Sequence, residues 1–219
     1  MLTPLLIIGL GGSGGKTIRS MKQALSRKLE SARYEGGLPA AWQFLQIDTT
    51  YDGVDFPAPM LPTDEFHCVV PSGAGFYNVL ADITSKGTAT DQQKMLAGWG
   101  VRYSAISIQD GAGQIRAIGR QVGVAHSKET LSAIKNSISK MQAETAIAEL
   151  RRVASALSVE VEKNTTPKAF IISSLAGGSG AGMFMDVAEL LKRATAQNWA
   201  QEAISFLYTA AVFSSIGQA

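Results

Sequence analysis

Two rhythms alternate along the chain. Residues 5–8 are an unbroken apolar run, and beyond them Ile18, Met21, Leu25 and Leu29 return every three or four positions, with Arg19, Lys22, Arg27 and Lys28 on the other faces. The run reads as a buried strand and the periodic stretch as an amphipathic helix over residues 16–32. Gly36, Gly37 and Pro39 end that helix, and residues 42–47 make a second apolar-rich run closing at Asp48. Strand, helix and strand in this order predict a right-handed βαβ unit with parallel strands. From Ser127 a helical period passes through Leu131, Ile134, Ile138 and Met141, then changes phase to Ile147, Leu150, Ala154 and Leu157, which predicts a break near residues 142–145. A turn at Asn164, Thr165, Thr166 and Pro167 precedes a strand over 169–172. A helix carrying Phe184, Val187, Ala188 and Leu191 and a last strand over 204–212 follow. Residues 49–110, punctuated by Pro57, Pro59, Pro62 and Pro71, are less regular and suggest short helices at 76–83 and 92–99. The pattern predicts an α/β fold, a Rossmann-like parallel sheet flanked by helices, in a single domain spanning 1–219.

Glycine clusters interrupt this pattern at two equivalent places. Gly9-Leu10-Gly11-Gly12-Ser13-Gly14-Gly15 follows the first strand, and Ala176-Gly177-Gly178-Ser179-Gly180-Ala181-Gly182 follows the strand at 169–172. Each opens a helix, and bare N–H groups at a helix N-terminus favour anions such as phosphate. Two such loops at strand-to-helix junctions suggest one phosphorylated ligand held from two sides.

Composition narrows the possibilities. A chain of 219 residues with 46% hydrophobic content can bury one sizeable core. A formal net charge of +2 is too small to mark a nucleic-acid surface, despite a pI near 8.7. Cys68 is the only cysteine, so no intrachain disulfide forms, and with His67 beside it and only His126 elsewhere no zinc site is expected. No apolar stretch reaches the roughly 18 residues of a membrane span, and the first apolar run leads directly into a glycine loop rather than a cleavage site. A cytoplasmic protein is expected.

The first loop satisfies G-x-G-x-x-G at Gly9, Gly11 and Gly14, the fingerprint of NAD-binding oxidoreductases. That fingerprint expects an acid about 20 positions on, whereas Asp48 stands 34 positions after Gly14. Gly15-Lys16-Thr17 approaches a Walker A loop but has Leu10 where its first glycine belongs. Neither motif accounts for the second loop.

The segment Ser174-Leu175-Ala176-Gly177-Gly178-Ser179-Gly180-Ala181-Gly182-Met183 resembles the signature loop of the tubulin and FtsZ superfamily, Gly-Gly-Thr-Gly followed by a small residue and Gly, with Ser179 keeping the hydroxyl of the usual threonine. The first loop is similar to that family's first phosphate loop, and residues 112–120, Ala112-Gly113-Gln114-Ile115-Arg116-Ala117-Ile118-Gly119-Arg120, to its third, which reaches the terminal phosphate. The likeness is greatest to the divergent bacterial tubulin-like proteins. It implies a GTP/GDP-binding domain, with Mg2+ accompanying GTP, in a cytoskeletal GTPase that self-associates head to tail and completes hydrolysis across a longitudinal contact. It places Gly11, Gly12, Ser13, Gly14 and Lys16 in the first-loop site, Ala112, Gly113 and Gln114 in the third, and Ser174, Gly177, Gly178, Ser179 and Gly180 in the signature loop. N–H groups of Gly12, Ser13, Gly178 and Ser179 are expected on the α and β phosphates, with the Ser179 hydroxyl donating to one of them.

Several of these residues carry two readings. Lys16 either adds a point charge toward phosphate or is a solvated lysine of the first helical turn. Arg116 and Arg120 either approach a γ-phosphate or form surface pairs. Asp48 either sits near a metal-bound water or caps its strand. The family's central helix, its C-terminal domain and the acidic loop that supplies its catalytic residues are expected to lie outside these 219 residues, so no catalytic residue is assigned and this chain alone is expected to be inactive. Two rival readings stand beside a polymerising GTPase: a non-polymerising, nucleotide-responsive interaction module, motivated by the long stretch 49–110, and the NAD-binding oxidoreductase.

Overall fold

The computed structural model describes residues 1–50, 59–70, 111–162 and 167–195, together with the backbone of 203–208. Five strands form one sheet: β1 (Leu5–Leu10), β2 (Trp42–Asp48), β3 (Phe66–Cys68), β4 (Lys168–Ser174) and β5 (Ala203–Tyr208). Every neighbouring pair is parallel, in the order β3-β2-β1-β4-β5. The described helices are α1 (Gly11–Ser31), α2 (Arg116–Ala125), α3 (Ser127–Met141), α4 (Glu144–Ala156) and α5 (Ser179–Ala194), with one 3-10 turn at Thr63–Glu65. This is the Rossmann-like α/β arrangement expected from the pattern. The short helices expected at 76–83 and 92–99, the turn at 164–166 and the end of the last strand beyond 208 lie outside the described residues.

The apolar runs are continuous because the central strands are covered on both faces. Leu6, Ile8 and Leu10 of β1 and Leu45 and Ile47 of β2 enter one cluster with Ile118 and Val122 of α2, Ile134 and Ile138 of α3, and Val187 and Leu191 of α5. Ile7 of β1 and Trp42 and Phe44 of β2 enter the other, with Ile18 and Leu29 of α1 and Leu150 and Val153 of α4. Successive residues of a strand point to opposite faces, so β1 and β2 each feed both clusters. The break expected near 142–145 falls between Met141, the last residue of α3, and Glu144, the first of α4.

Two expectations for α1 are corrected. The helix begins at Gly11 rather than near residue 16, so most of the first glycine loop is helical. Close packing explains this: a Cβ at Gly14 would lie 2.4 Å from the Ile172 carbonyl oxygen, and one at Gly15 would lie 2.3 Å from the Gln46 side chain. Only glycine lets the first turns press this closely onto the sheet. The faces also differ from the simple period. Met21, expected inside, is 38% exposed, whereas Arg19, expected outside, is 2% exposed and donates through Nη1 to Met60 Sδ at 2.8 Å.

Candidate functional site

The chain leaves β1 toward β2 on one side and later returns at β4 on the other, so the strand order reverses between β1 and β4. Crevices at the carboxyl ends of strands form at such switch points. Register makes the two loops start level, with Leu10 opposite Ser173. A cavity of about 100 Å³ occupies this point, lined by Leu10, Gly11, Gly12 and Ser13 from the first loop, Ser174 and 177–180 from the second, and Gly113 from the third.

Its walls are made of backbone, and the glycines divide into two kinds. A Cβ at Gly12, Gly113 or Gly177 would meet no atom within 4 Å, so these three border open space. A Cβ at Gly180 would lie 2.6 Å from the Leu10 carbonyl oxygen, and one at Gly11, where φ is +67°, would lie 2.8 Å from the Gly180 nitrogen. This second pair lets the first and second loops touch.

Both helices that start here lack a side-chain cap and have no acidic residue in the first turn. In α5 the first intrahelical bond joins the Gly182 N–H to the Gly178 carbonyl at 2.9 Å. The N–H groups of Ser179, Gly180 and Ala181 precede it, the donors that every helix start leaves over. With the dipoles of α1 and α5 they make the edge of the cavity electropositive. The Gly178 N–H, expected on phosphate, instead donates to the Gly113 carbonyl at 2.9 Å. Gly178 itself needs to be glycine because a Cβ there would meet the Gly113 and Ala112 carbonyl oxygens at 2.5 and 2.7 Å. It is therefore the seam between second and third loops, with Ala112 behind it.

The remaining predicted site residues lie outside the lining. Gly14 faces the sheet, Lys16 is exposed on the second turn of α1, and Gln114 is exposed on the third loop. Arg116 is exposed, and Arg120 pairs with Asp186 of α5 at 3.4 Å. Ser174, which does belong to the lining, accepts the Ala176 N–H through Oγ at 3.1 Å, bending the chain into the second loop.

Asp48 lies beneath the cavity at the end of β2, 2% exposed. Its Oδ1 accepts the Thr49 N–H at 2.7 Å, and the Thr49 and Ser179 hydroxyl oxygens are 2.7 Å apart. Burial pushes the Asp48 carboxyl up to about 6, against hydrogen bonds from the Thr49 backbone and the Ser179, Gln46 and Thr49 side chains that hold it down. Burial likewise lowers Arg19, while the charge of Asp48 opposes that shift. Thr49 and Gln46 were not singled out by motif. The available signal was a threonine directly after a strand-end acid, a residue pair suited to local hydrogen bonding.

Elsewhere, His67 Nε2 lies 3.1 Å from Thr130 Oγ1, and the Cys68 thiol donates to the Val70 carbonyl at 3.2 Å. No group of three or more His, Cys, Asp or Glu gathers among the described residues, and none of their helices is long and apolar enough to cross a membrane.

A search among curated proteins finds no match to the chain. A family model described as tubulin like matches residues 6–219, from the first residues of β1 through all three loops. With a match of that extent on a parallel sheet that brings the three loops to one cavity, the chain belongs to the tubulin-like family.

Proposed function

We propose that this chain binds a guanine nucleotide through its phosphates at the β1–β4 switch point, and that it is the nucleotide-binding domain of a protein that associates head to tail, with hydrolysis completed by the neighbour. The observation that carries the reading is the cavity itself: three glycine loops, two uncapped helix starts and the residues Ser13, Ser174 and Ser179 meet around about 100 Å³ of open space. Such a wall offers hydrogen-bond donors and no carboxylate, which suits phosphate oxygens. The same wall lacks the carboxylate oxygens that would fit a protein-held Mg2+, so Mg2+ would come with the triphosphate. Guanine preference and head-to-tail assembly rest on the family.

A thermal-shift panel of GTP, GDP, ATP and NAD tests the first half. Ligand at 100 times its Kd stabilises by about 2.7 kcal/mol, roughly 5–10 °C for a domain of this size. GTP and GDP should give that shift, and ATP and NAD should give none. A shift with NAD alone would return the chain to the dinucleotide reading. Electron microscopy of the full-length protein with GTP tests the second half, where binding without filaments would favour an interaction module.

A further inference from the structure

The triad beneath the cavity has more hydrogen-bond acceptors than protons. Thr49 and Ser179 each own one hydroxyl proton. Their oxygens stand 2.7 Å apart, so one hydroxyl donates to the other, and both lie within hydrogen-bonding reach of Asp48. With Asp48 ionised, the second hydroxyl donates to the carboxylate. Both protons then stay inside the triad, and Ser179 turns only lone pairs toward the cavity it lines. With Asp48 protonated, the order reverses: Asp48 donates to Thr49, Thr49 to Ser179, and Ser179 to whatever lies in the cavity.

Resting on the phosphate-binding reading above, we propose that Asp48 and Thr49 are positioning residues that set the direction of the Ser179 hydroxyl, so that a phosphate in the cavity binds together with a proton taken up by Asp48. The one covalent change is the O–H bond made on the Asp48 carboxylate, its proton released by solvent. One proton moves from solvent to the Asp48 carboxyl, and the two hydroxyl protons each turn one place toward the ligand. Burial supports this, since a carboxylate enclosed beneath an anion site is disfavoured as a charge and is further disfavoured when the anion arrives. The other charged or titratable groups that face Asp48 among the described residues are Arg19 of α1, which favours the carboxylate, and Cys68 of β3, whose thiol burial keeps neutral. Neither contributes a hydroxyl to the chain of donors.

The sign follows by linkage. Bound phosphate raises the Asp48 pKa further above its value of about 6 in the free protein, so affinity climbs as pH falls from 7.5 and levels off below about 6. Calorimetric titration of the full chain with GDP at pH 7.5 and 5.5 should show about tenfold tighter binding at the lower pH, beyond the change in Asp48→Asn. The comparison with Asp48→Asn removes the titration of GDP itself. The asparagine amide donates at every pH, so this variant should bind GDP about tenfold more tightly than the parent at pH 7.5 and as tightly as the parent at pH 5.5. A role limited to holding the fold would instead weaken binding at both values. Ser179→Ala, which lacks the shared hydroxyl, should also lose the extra pH dependence while staying at the weaker level. Parallel pH profiles in parent and either variant would overturn the relay. Absence of GDP binding to the parent at both pH values would overturn the phosphate-binding reading itself.

Discussion

Gly12 and Gly180 stand on the same cavity wall and serve opposite purposes. A side chain at Gly12 would enter open space, whereas one at Gly180 would strike the Leu10 carbonyl and the Ser173 hydroxyl, each at 2.6 Å. Gly12→Val should therefore leave urea stability within about 0.5 kcal/mol of the parent, because nothing in the fold must move. It should still weaken GDP binding at least about tenfold, because the new methyl groups occupy the space between the loops. Gly180→Val should lose about 1–3 kcal/mol of stability, the usual range for forcing atoms into packed structure. Equal stability losses in the two variants would show that the glycines do one job. The sequence displayed both residues as members of glycine runs, but the runs alone did not separate a glycine that faces ligand from one that faces backbone. That distinction is made by the partner loop, whose nearest atoms lie some 170 residues away in the chain.

Helix positions were legible where one period meets one surface and illegible where two surfaces compete. The phase change between Ile138 and Leu150 marked the end of α3 and the start of α4, because each helix presents a single apolar stripe. The start of α1 was hidden, since glycine has low helix propensity and its presence in the first turn answers to packing against Gln46 and Ile172. Arg19 was misplaced because an arginine reads as solvent-facing until a buried Asp48 and the Met60 thioether are brought near it. The pairing of α2 with α5 shows what such packing demands. A Cβ at Gly119 would lie 2.2 Å from the Gly178 carbonyl oxygen, which is backbone of the second loop, whereas one at Gly123 would lie 2.7 Å from Met183 Cγ. Met183 is packed in the core, but a methionine side chain adjusts more readily than a loop carbonyl. Gly123→Ala should thus cost less than Gly119→Ala, its better helix propensity offsetting part of the repacking of Met183, and Gly119→Ala should cost about 1–3 kcal/mol in urea denaturation. The reverse order would mean that α2 is free to shift along α5.

Across the described residues, the groups able to move a proton are kept out of the cavity at the switch point. Its lining holds glycines, serines and one leucine. His67 sits on β3 against Thr130, and His126 joins α2 to α3. Asp48 is closed off beneath Ser179, and Asp186 is held by Arg120. The two loops could be paired from sequence because each carries its own motif, but this separation of titratable groups from the cavity depends on distances between elements and had no linear signature. It has a kinetic consequence if the chain binds GTP as proposed. A positioned general acid or base contributes about a hundred- to ten-thousand-fold in rate, and the described lining supplies neither. Purified chain of these 219 residues should therefore release phosphate from GTP at least about a hundredfold more slowly than an assembly in which a neighbour brings a carboxylate to the open side of the cavity. The measurement is phosphate release against protein concentration, and turnover per chain should stay low at every concentration of these 219 residues alone. A rate per chain that is high and independent of concentration would require a base within one copy. Asp48→Asn would then be the first variant to assay, and loss of turnover with GDP binding retained would make the chain a self-contained GTPase.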